Sequence, residues 1–342
     1  MTNSRNELFN RICKRQVRLA EHTSYGIGGA ADYFVMPANV EQLLSVLDVS
    51  QSYGMERIVF GMGSNVLFPD KPKPGTLYIS LKNMTDVTVN GSGWFVSSGI
   101  PLSMLSLAGL LAGSPEFQFT YLLPGCLGAG IYMNAKYYDE QIGDKIEKVY
   151  YIDLDDPTLS LQTIHAKDCL FAYKQSIFQH KPWLIVGAQF RVPEQAGELA
   201  VCLSRLLTQQ KAANENGLSS LVTFYSYFSR EIIKLQSRRI RIPEPMKHIE
   251  QYRTEKRHFK FPSCGSFFKN NYAAGLSIGA MVDRLGLKGL SCGGAVISPY
   301  HGNMILNVRQ ATASDILALK DTVSEAIELH YGFIPEPEVA IL

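Results

Sequence analysis

Glycine-rich loops, and the prolines that follow one of them, restrict this chain more than any other feature. Arg57-Ile-Val-Phe60 reads as a buried strand running into Gly61-Met62-Gly63-Ser64-Asn65, where a dinucleotide loop would lie. The Rossmann pattern needs glycine at 66 and a helix after it. Val66 stands there instead, and Pro69, Pro72 and Pro74 forbid the helix, because proline lacks the amide donor and collides with the preceding turn. A nucleotide held by this loop is therefore held in another fold. By itself the loop is equally well explained as a tight turn. A second loop, Pro124-Gly125-Cys126-Leu127-Gly128-Ala129-Gly130, leaves backbone N–H groups uncovered, which suits close approach to a pyrophosphate or a crossing of two backbones. A third, Gly26-Ile-Gly-Gly29, lies near the start. Two such loops can cradle a flavin dinucleotide between them.

The elements around the loops predict a mixed α/β chain. Asn39 as N-cap, Gln42 at the third position and Val40, Leu43, Leu44 and Leu47 on one face predict a helix ending near Gly54. Further strands are expected at 76–81, 86–89 and 94–99, and a helix from Pro101 to Gly113. Residues 146–153 and 159–164 read as a hairpin, and Trp183 to Val192 as a long apolar strand. Helices are expected over 197–213 and from Thr312 or Ser314 to Gly332. A chain of 342 residues suggests two or three domains, and the change of character after Pro193 puts a boundary near 193.

Charge excludes several functions. Thirty-three Lys and Arg against 31 Asp and Glu leave a net +2, so neither a polybasic nucleic-acid protein nor an acidic tail is expected. No apolar run approaches the roughly 20 residues of a membrane span. The N-terminal segment carries charge throughout, so no secretory signal is expected, and the cytoplasm is the expected compartment. The six cysteines lie far apart, and no two of the seven histidines are three or four residues apart. Neither a disulfide framework nor a metal site is expected.

Several of these segments carry a resemblance. Thr23-Ser-Tyr-Gly-Ile-Gly-Gly-Ala-Ala-Asp32, Gly61-Met-Gly-Ser-Asn-Val-Leu67 and Pro124-Gly-Cys-Leu-Gly-Ala-Gly130 resemble the UDP-N-acetylenolpyruvoylglucosamine reductase family. So do Phe171-Ala-Tyr-Lys-Gln-Ser-Ile-Phe178, Ser263-Cys-Gly-Ser-Phe-Phe-Lys-Asn270, Gly286-Leu-Lys-Gly289, Gly293-Gly-Ala-Val-Ile-Ser298, Ala311-Thr-Ala-Ser-Asp315 and Pro335-Glu-Pro-Glu-Val339. They occur in family order over about residues 22–192 and 253–342. The resemblance implies a vanillyl-alcohol-oxidase-type flavin domain over 1–192, with lobes of about 1–80 and 81–192. A C-terminal α/β substrate domain over 193–342 follows, its last residues returning towards the flavin. It further implies a cytoplasmic monomer binding FAD non-covalently, with no nucleic acid, membrane or metal partner. NADPH would reduce the flavin, and UDP-N-acetylglucosamine enolpyruvate would be reduced to UDP-N-acetylmuramate, a peptidoglycan precursor.

Hydride arriving at the vinyl carbon leaves charge on its neighbour, so the protein must stabilise an enolate-like species and protonate it. The resemblance assigns the proton donor to Ser266. A serine is a poor acid in water, but its target is strongly basic and nearby charge can stabilise the alkoxide. Glu338 matches the family's catalytic glutamate, which the resemblance expects to help polarise the developing enolate, with Glu336 as a competitor two residues away. Lys174 stands where the family usually has arginine; it keeps the charge and loses the planar fork. Flavin contacts are expected from Gly61, Met62, Gly63, Ser64, Asn65, Pro124, Gly125, Cys126, Gly128 and Ala129, and substrate contacts from Tyr173, Lys269 and Asn270.

The chain departs from the family at Lys136-Tyr-Tyr138-Asp-Glu140, where glycines are usual. Residues 230–260 hold ten Lys or Arg against four Glu, a local +6 that suits a diphosphate better than a nucleic acid, although most such side chains form solvated helix faces. Tyr225 or Tyr227 is a candidate to close over the diphosphate. The alternatives are another flavin oxidase of the same fold, with Cys126 as the candidate tether, or a nucleotide-sugar-binding homologue without turnover.

Overall fold

Leu77–Ser80 lies between Tyr33–Val35 and Arg57–Phe60 in a small parallel sheet. Parallel strands need a crossover, and the helix Val40–Ser52 makes the one between the two edge strands. In the computed structural model, residues 2–90, 93–137, 139–191, 196–213 and 220–342 are described. Asn39 Oδ1 accepts from the Gln42 amide at 3.0 Å, and Gln42 Oε1 accepts from the Ala38 amide at 2.9 Å, so the helix starts where the residue spacing predicts. Leu43, Val46 and Leu47 are fully buried in one core with Val35, Leu77 and Ile79, each contributing roughly 1.5–3 kcal/mol.

The second sheet is antiparallel, in the order Leu161–His165, Ile146–Asp153, Trp183–Arg191, Gly93–Ser97, Val87–Asn90. Helix Leu102–Leu111 is apolar around its circumference because it is covered on every side. It packs on helix Ala196–Ala213 in a core that also takes Trp94, Val96 and Phe190 from the sheet. Helices Leu221–Ser237 and Glu244–Glu255 join that same core through Phe224, Phe228, Met246 and Ile249. Position 193 lies outside the described residues, and the segments on either side of it share one core. A separate core takes in the residues from Cys264 onward together with Tyr25, Ile27 and Leu67 of the first lobe.

That third unit pairs Ser291–Cys292, Ala295–Ile297 and Ile305–Asn307 antiparallel and covers them with helices Ile278–Arg284 and Ala313–Tyr331. Thr312 and Asp315 form a capping box at the start of the last helix, and Gly332 takes φ +75° at its end. Several contacts tie the unit to the first lobe. Ser24 Oγ donates to the Ser263 carbonyl at 2.7 Å, Tyr25 Oη to the Ile305 carbonyl at 2.9 Å, and the Ala313 amide to Asp70 Oδ1 at 2.8 Å. Finally, Ala340–Ile341 pairs parallel with Val66–Leu67, which brings the chain end beside the first glycine loop. The mixed helix-and-sheet architecture is the expected one, and no described helix is long and apolar enough to cross a membrane.

Candidate active site

The two glycine loops meet. A Cβ on Gly61 would lie 2.0 Å from Cys126 Sγ, and one on Gly125, at φ +117°, would lie 2.7 Å from Ser64 Oγ. Only glycine permits so close a crossing. Gly63 has φ +66°, and its carbonyl accepts from the Ser24 amide at 3.0 Å and Thr23 Oγ1 at 2.7 Å. This pins the loop while the amides of Gly63, Ser64 and Asn65 find no protein acceptor among the described residues. Consecutive free amides favour an anion. In the second loop, the Leu127 and Gly128 amides are already taken by the Ile100 and Ser98 carbonyls, both at 2.8 Å. Cys126 is buried against Gly61, and burial raises its thiol pKa.

Beside these loops opens a cleft of about 290 Å³, walled by Ser64, Asn65, Pro124, Gly125, Ala129, Lys174, Ser266 and Glu338, among others. The three residues expected to do chemistry thus converge from separate parts of the chain. Ser266 is set by its neighbours. The Phe267 amide donates to the Asn303 carbonyl at 2.7 Å, the Phe267 carbonyl accepts from the Glu338 amide at 2.7 Å, and Gly265 turns at φ +75°. Among the described residues, no group hydrogen-bonds Ser266 Oγ. Glu338 is fixed from the other side by Asn65, whose Nδ2 donates to its carbonyl at 2.9 Å.

Lys174 Nζ lies 2.5 Å from Glu338 Oε1, with the two side chains 19% and 14% exposed. Lys174 takes φ +55° in a turn closed by reciprocal Ala172–Gln175 backbone bonds. A non-glycine residue there is strained, and surrounding contacts must hold it. Asn134 Nδ2 to the Ala172 carbonyl (2.9 Å) and Gln179 Nε2 to the Lys174 carbonyl (3.0 Å) do so.

Other expected residues are used elsewhere or stand behind the wall. Met62 and Cys126 are buried beneath the loops. Tyr173 packs on Tyr272 with ring centroids 5.1 Å apart, and burial raises its hydroxyl pKa. Lys269 Nζ pairs with Glu336 Oε1 at 2.5 Å, and Asn270 Oδ1 accepts from the Ile278 amide at 3.1 Å. Those pairings separate the two glutamates: Glu338 faces the cleft and Glu336 does not line it. Tyr225 stacks on Phe259, while Tyr227 lines a different cleft with Arg205 and Arg238. Lys136 and Tyr137 wall the main cleft; Tyr138 lies outside the described residues. The expectations did not include His258 and His301, which also wall it, nor single out Arg253 from its basic stretch.

Residues 257–342 match the family model for the UDP-N-acetylenolpyruvoylglucosamine reductase C-terminal domain. Over nearly its whole length the chain is similar to curated proteins of that name. The relative from Treponema denticola is 32% identical over 325 residues, 93% of this chain and 89% of that one. The relative from Borreliella burgdorferi is 28% identical, over 99% and 98%. In fold it is similar to the crystal structure of the reductase MurB from Thermus caldophilus, with TM-score 0.63, 23% identity, and 96% and 98% of the chains covered. The chain belongs to the UDP-N-acetylenolpyruvoylglucosamine reductase family.

Proposed function

We propose that this enzyme reduces UDP-N-acetylglucosamine enolpyruvate to UDP-N-acetylmuramate with NADPH, through FAD held non-covalently. One observation carries the reading: Ser266 and the Lys174–Glu338 pair face the same cleft as the two glycine loops. The residues present fit the cofactor. Free amides at Gly63–Asn65 suit its diphosphate, and Gly125 and Ala129 leave room beside them. Bound there, the flavin would supply hydride chemistry. Cys126, neutral and buried against Gly61, is a poor tether, which supports a non-covalent site.

Ser266 Oγ–H protonates the carbon next to the one that takes hydride, and the alkoxide recovers its proton from solvent. Lys174 has three N–H groups and Glu338 occupies one. The other two are available to the substrate carboxylate, into which the developing charge spreads. Glu338 fixes the ammonium in place and orients it. The Cys264–Leu342 unit and the first two lobes hold the nucleotide sugar between them. The enzyme works as a cytoplasmic monomer.

The test is anaerobic. The purified protein should be yellow, NADPH should bleach it, and UDP-N-acetylglucosamine enolpyruvate should restore the colour. A yellow protein that NADPH does not bleach contradicts the reading.

A further inference from the structure

A second cleft, of about 270 Å³, is walled by helices Ala196–Ala213 and Leu221–Ser237 and shares no lining residue with the main one. Four of its ten lining residues are cations: Arg205 from the first helix, and Arg230, Lys234 and Arg238 from the second and its C-terminal cap. Glu231 is the only acid on that wall, and Lys234 Nζ already lies 2.6 Å from it. Arg230 Nε donates to the Ser226 carbonyl at 3.2 Å. Among the described residues, no carboxylate pairs with Arg205, Arg230 or Arg238. Tyr227 lines the same cleft. It is 3% exposed, and among the described residues its hydroxyl is buried without a hydrogen-bond partner. Burial, with Glu231 nearby, raises its pKa, so the hydroxyl stays protonated and can donate.

Helix position accounts for part of this charge. Cations in a last turn offset the negative end of the helix dipole, which suits Lys234 and Arg238. It does not account for Arg205, which lies in the middle of the other helix. Arg230, Lys234 and Arg238 also follow one another at four-residue spacing, where like charges repel. The buried hydroxyl adds the cost of an unused donor. One anion in the cleft relieves both. Guanidinium forks match the paired oxygens of a phosphate, and the phenol supplies one more donor. The volume suits a small molecule. A site for single-stranded nucleic acid would offer exposed rings for stacking, and the only ring here, Tyr227, is buried.

We propose that Arg205, Arg230, Arg238 and Tyr227 form a second ligand site, for a small phosphorylated molecule. The site lies outside the reaction cleft and does not rest on the activity assigned above. Leu111, Leu206 and Leu235 also line it and give an apolar surface for an organic part, so free diphosphate and a phosphate ester share the recognition chemistry.

Calorimetry on the full chain tests it with inorganic diphosphate and with phenyl phosphate, each against chloride of equal ionic strength. Arg205→Gln and Arg238→Gln alter exposed side chains, and each should weaken binding at least about tenfold, as expected when a charge-assisted hydrogen bond is lost. Tyr227→Phe should weaken it about threefold to tenfold, the scale of one neutral hydrogen bond. Ligand-free melting checks that each variant folds, and Lys174→Ala, in the main cleft, should bind like wild type. Phenylglyoxal labelling read by peptide mass spectrometry localises the ligand: either bound probe should slow modification of Arg205 and Arg238. Tighter binding of diphosphate assigns the site to a polyphosphate, and tighter binding of phenyl phosphate assigns it to a monoester. A wild-type chain that binds neither probe, folded arginine variants that bind both like wild type, or labelling that neither probe slows overturns the site. None of these outcomes touches the reading of the main cleft.

Discussion

Two regions of one cleft carry positive charge in opposite ways. At Lys174 the ammonium has a carboxylate 2.5 Å away, and a strained turn holds it there. At Arg253 the guanidinium is as deeply buried as a core residue, and its nearest titratable neighbour is a histidine rather than an acid. The first region is neutralised before any ligand arrives, so its hydrogen bonds can be redistributed as charge develops during a reaction. In the second, no carboxylate among the described residues pairs with the guanidinium. A paired and an unpaired cation thus occupy separate parts of one wall.

Making the two regions alike tests that contrast. Glu338→Gln removes the carboxylate and leaves Lys174 unpaired; turnover should fall about 10²–10³-fold, the scale of losing a preorganised electrostatic partner. The check is steady-state kinetics with flavin content held equal. Lys174→Ala should cost as much, about 10²–10³-fold, because it removes the donor that Glu338 orients, and Lys174→Arg should recover most of it, because charge matters more here than the fork. Unchanged kinetics in Lys174→Ala would remove that residue from the account.

The two regions also differ in the pH dependence of stability. Burial pushes the His258 pKa down to about 2, with Arg253, His301 and Lys256 adding to it, and burial with Lys256, Lys288 and Arg253 nearby pushes His301 down to about 4. Both rings stay neutral in the folded chain while the unfolded chain binds protons below its ordinary 6.5. Stability should therefore fall as pH drops from 6.5 towards 4, by up to about 1.4 kcal/mol per pH unit for each ring. Above 6.5 these rings contribute no slope. Thermal melting across that range checks the sign.

Local signals were legible where one short segment carries the whole device. Asn39 with Gln42, and Thr312 with Asp315, mark helix starts because a cap needs only neighbouring residues. Ser266, Glu338 and Lys174 were legible through their motifs, and the fold then brings them to one cleft. Periodicity over 197–213 announces a buried face without naming what covers it. That is why the partner of helix Ala196–Ala213, the sheet core around Trp94, could not be read from the chain. Arg253 and His258 are brought together by the turn that ends their helix, but only the packing of the third unit against that helix adds His301 to them. Tyr173, Lys269 and Asn270 show the reverse: a motif places them near the site, while Tyr272, Glu336 and the Ile278 amide determine where their side chains point.

The central claim is that Ser266 acts in proton delivery and not in cofactor capture, since it lines the cleft and no group among the described residues hydrogen-bonds its hydroxyl. Rapid mixing of Ser266→Ala separates the two half-reactions. The account predicts NADPH bleaching of the flavin at the wild-type rate, with substrate-triggered reoxidation slowed about 10²–10⁴-fold, the range for losing a general acid. Equal slowing of both half-reactions, or of neither, would contradict it.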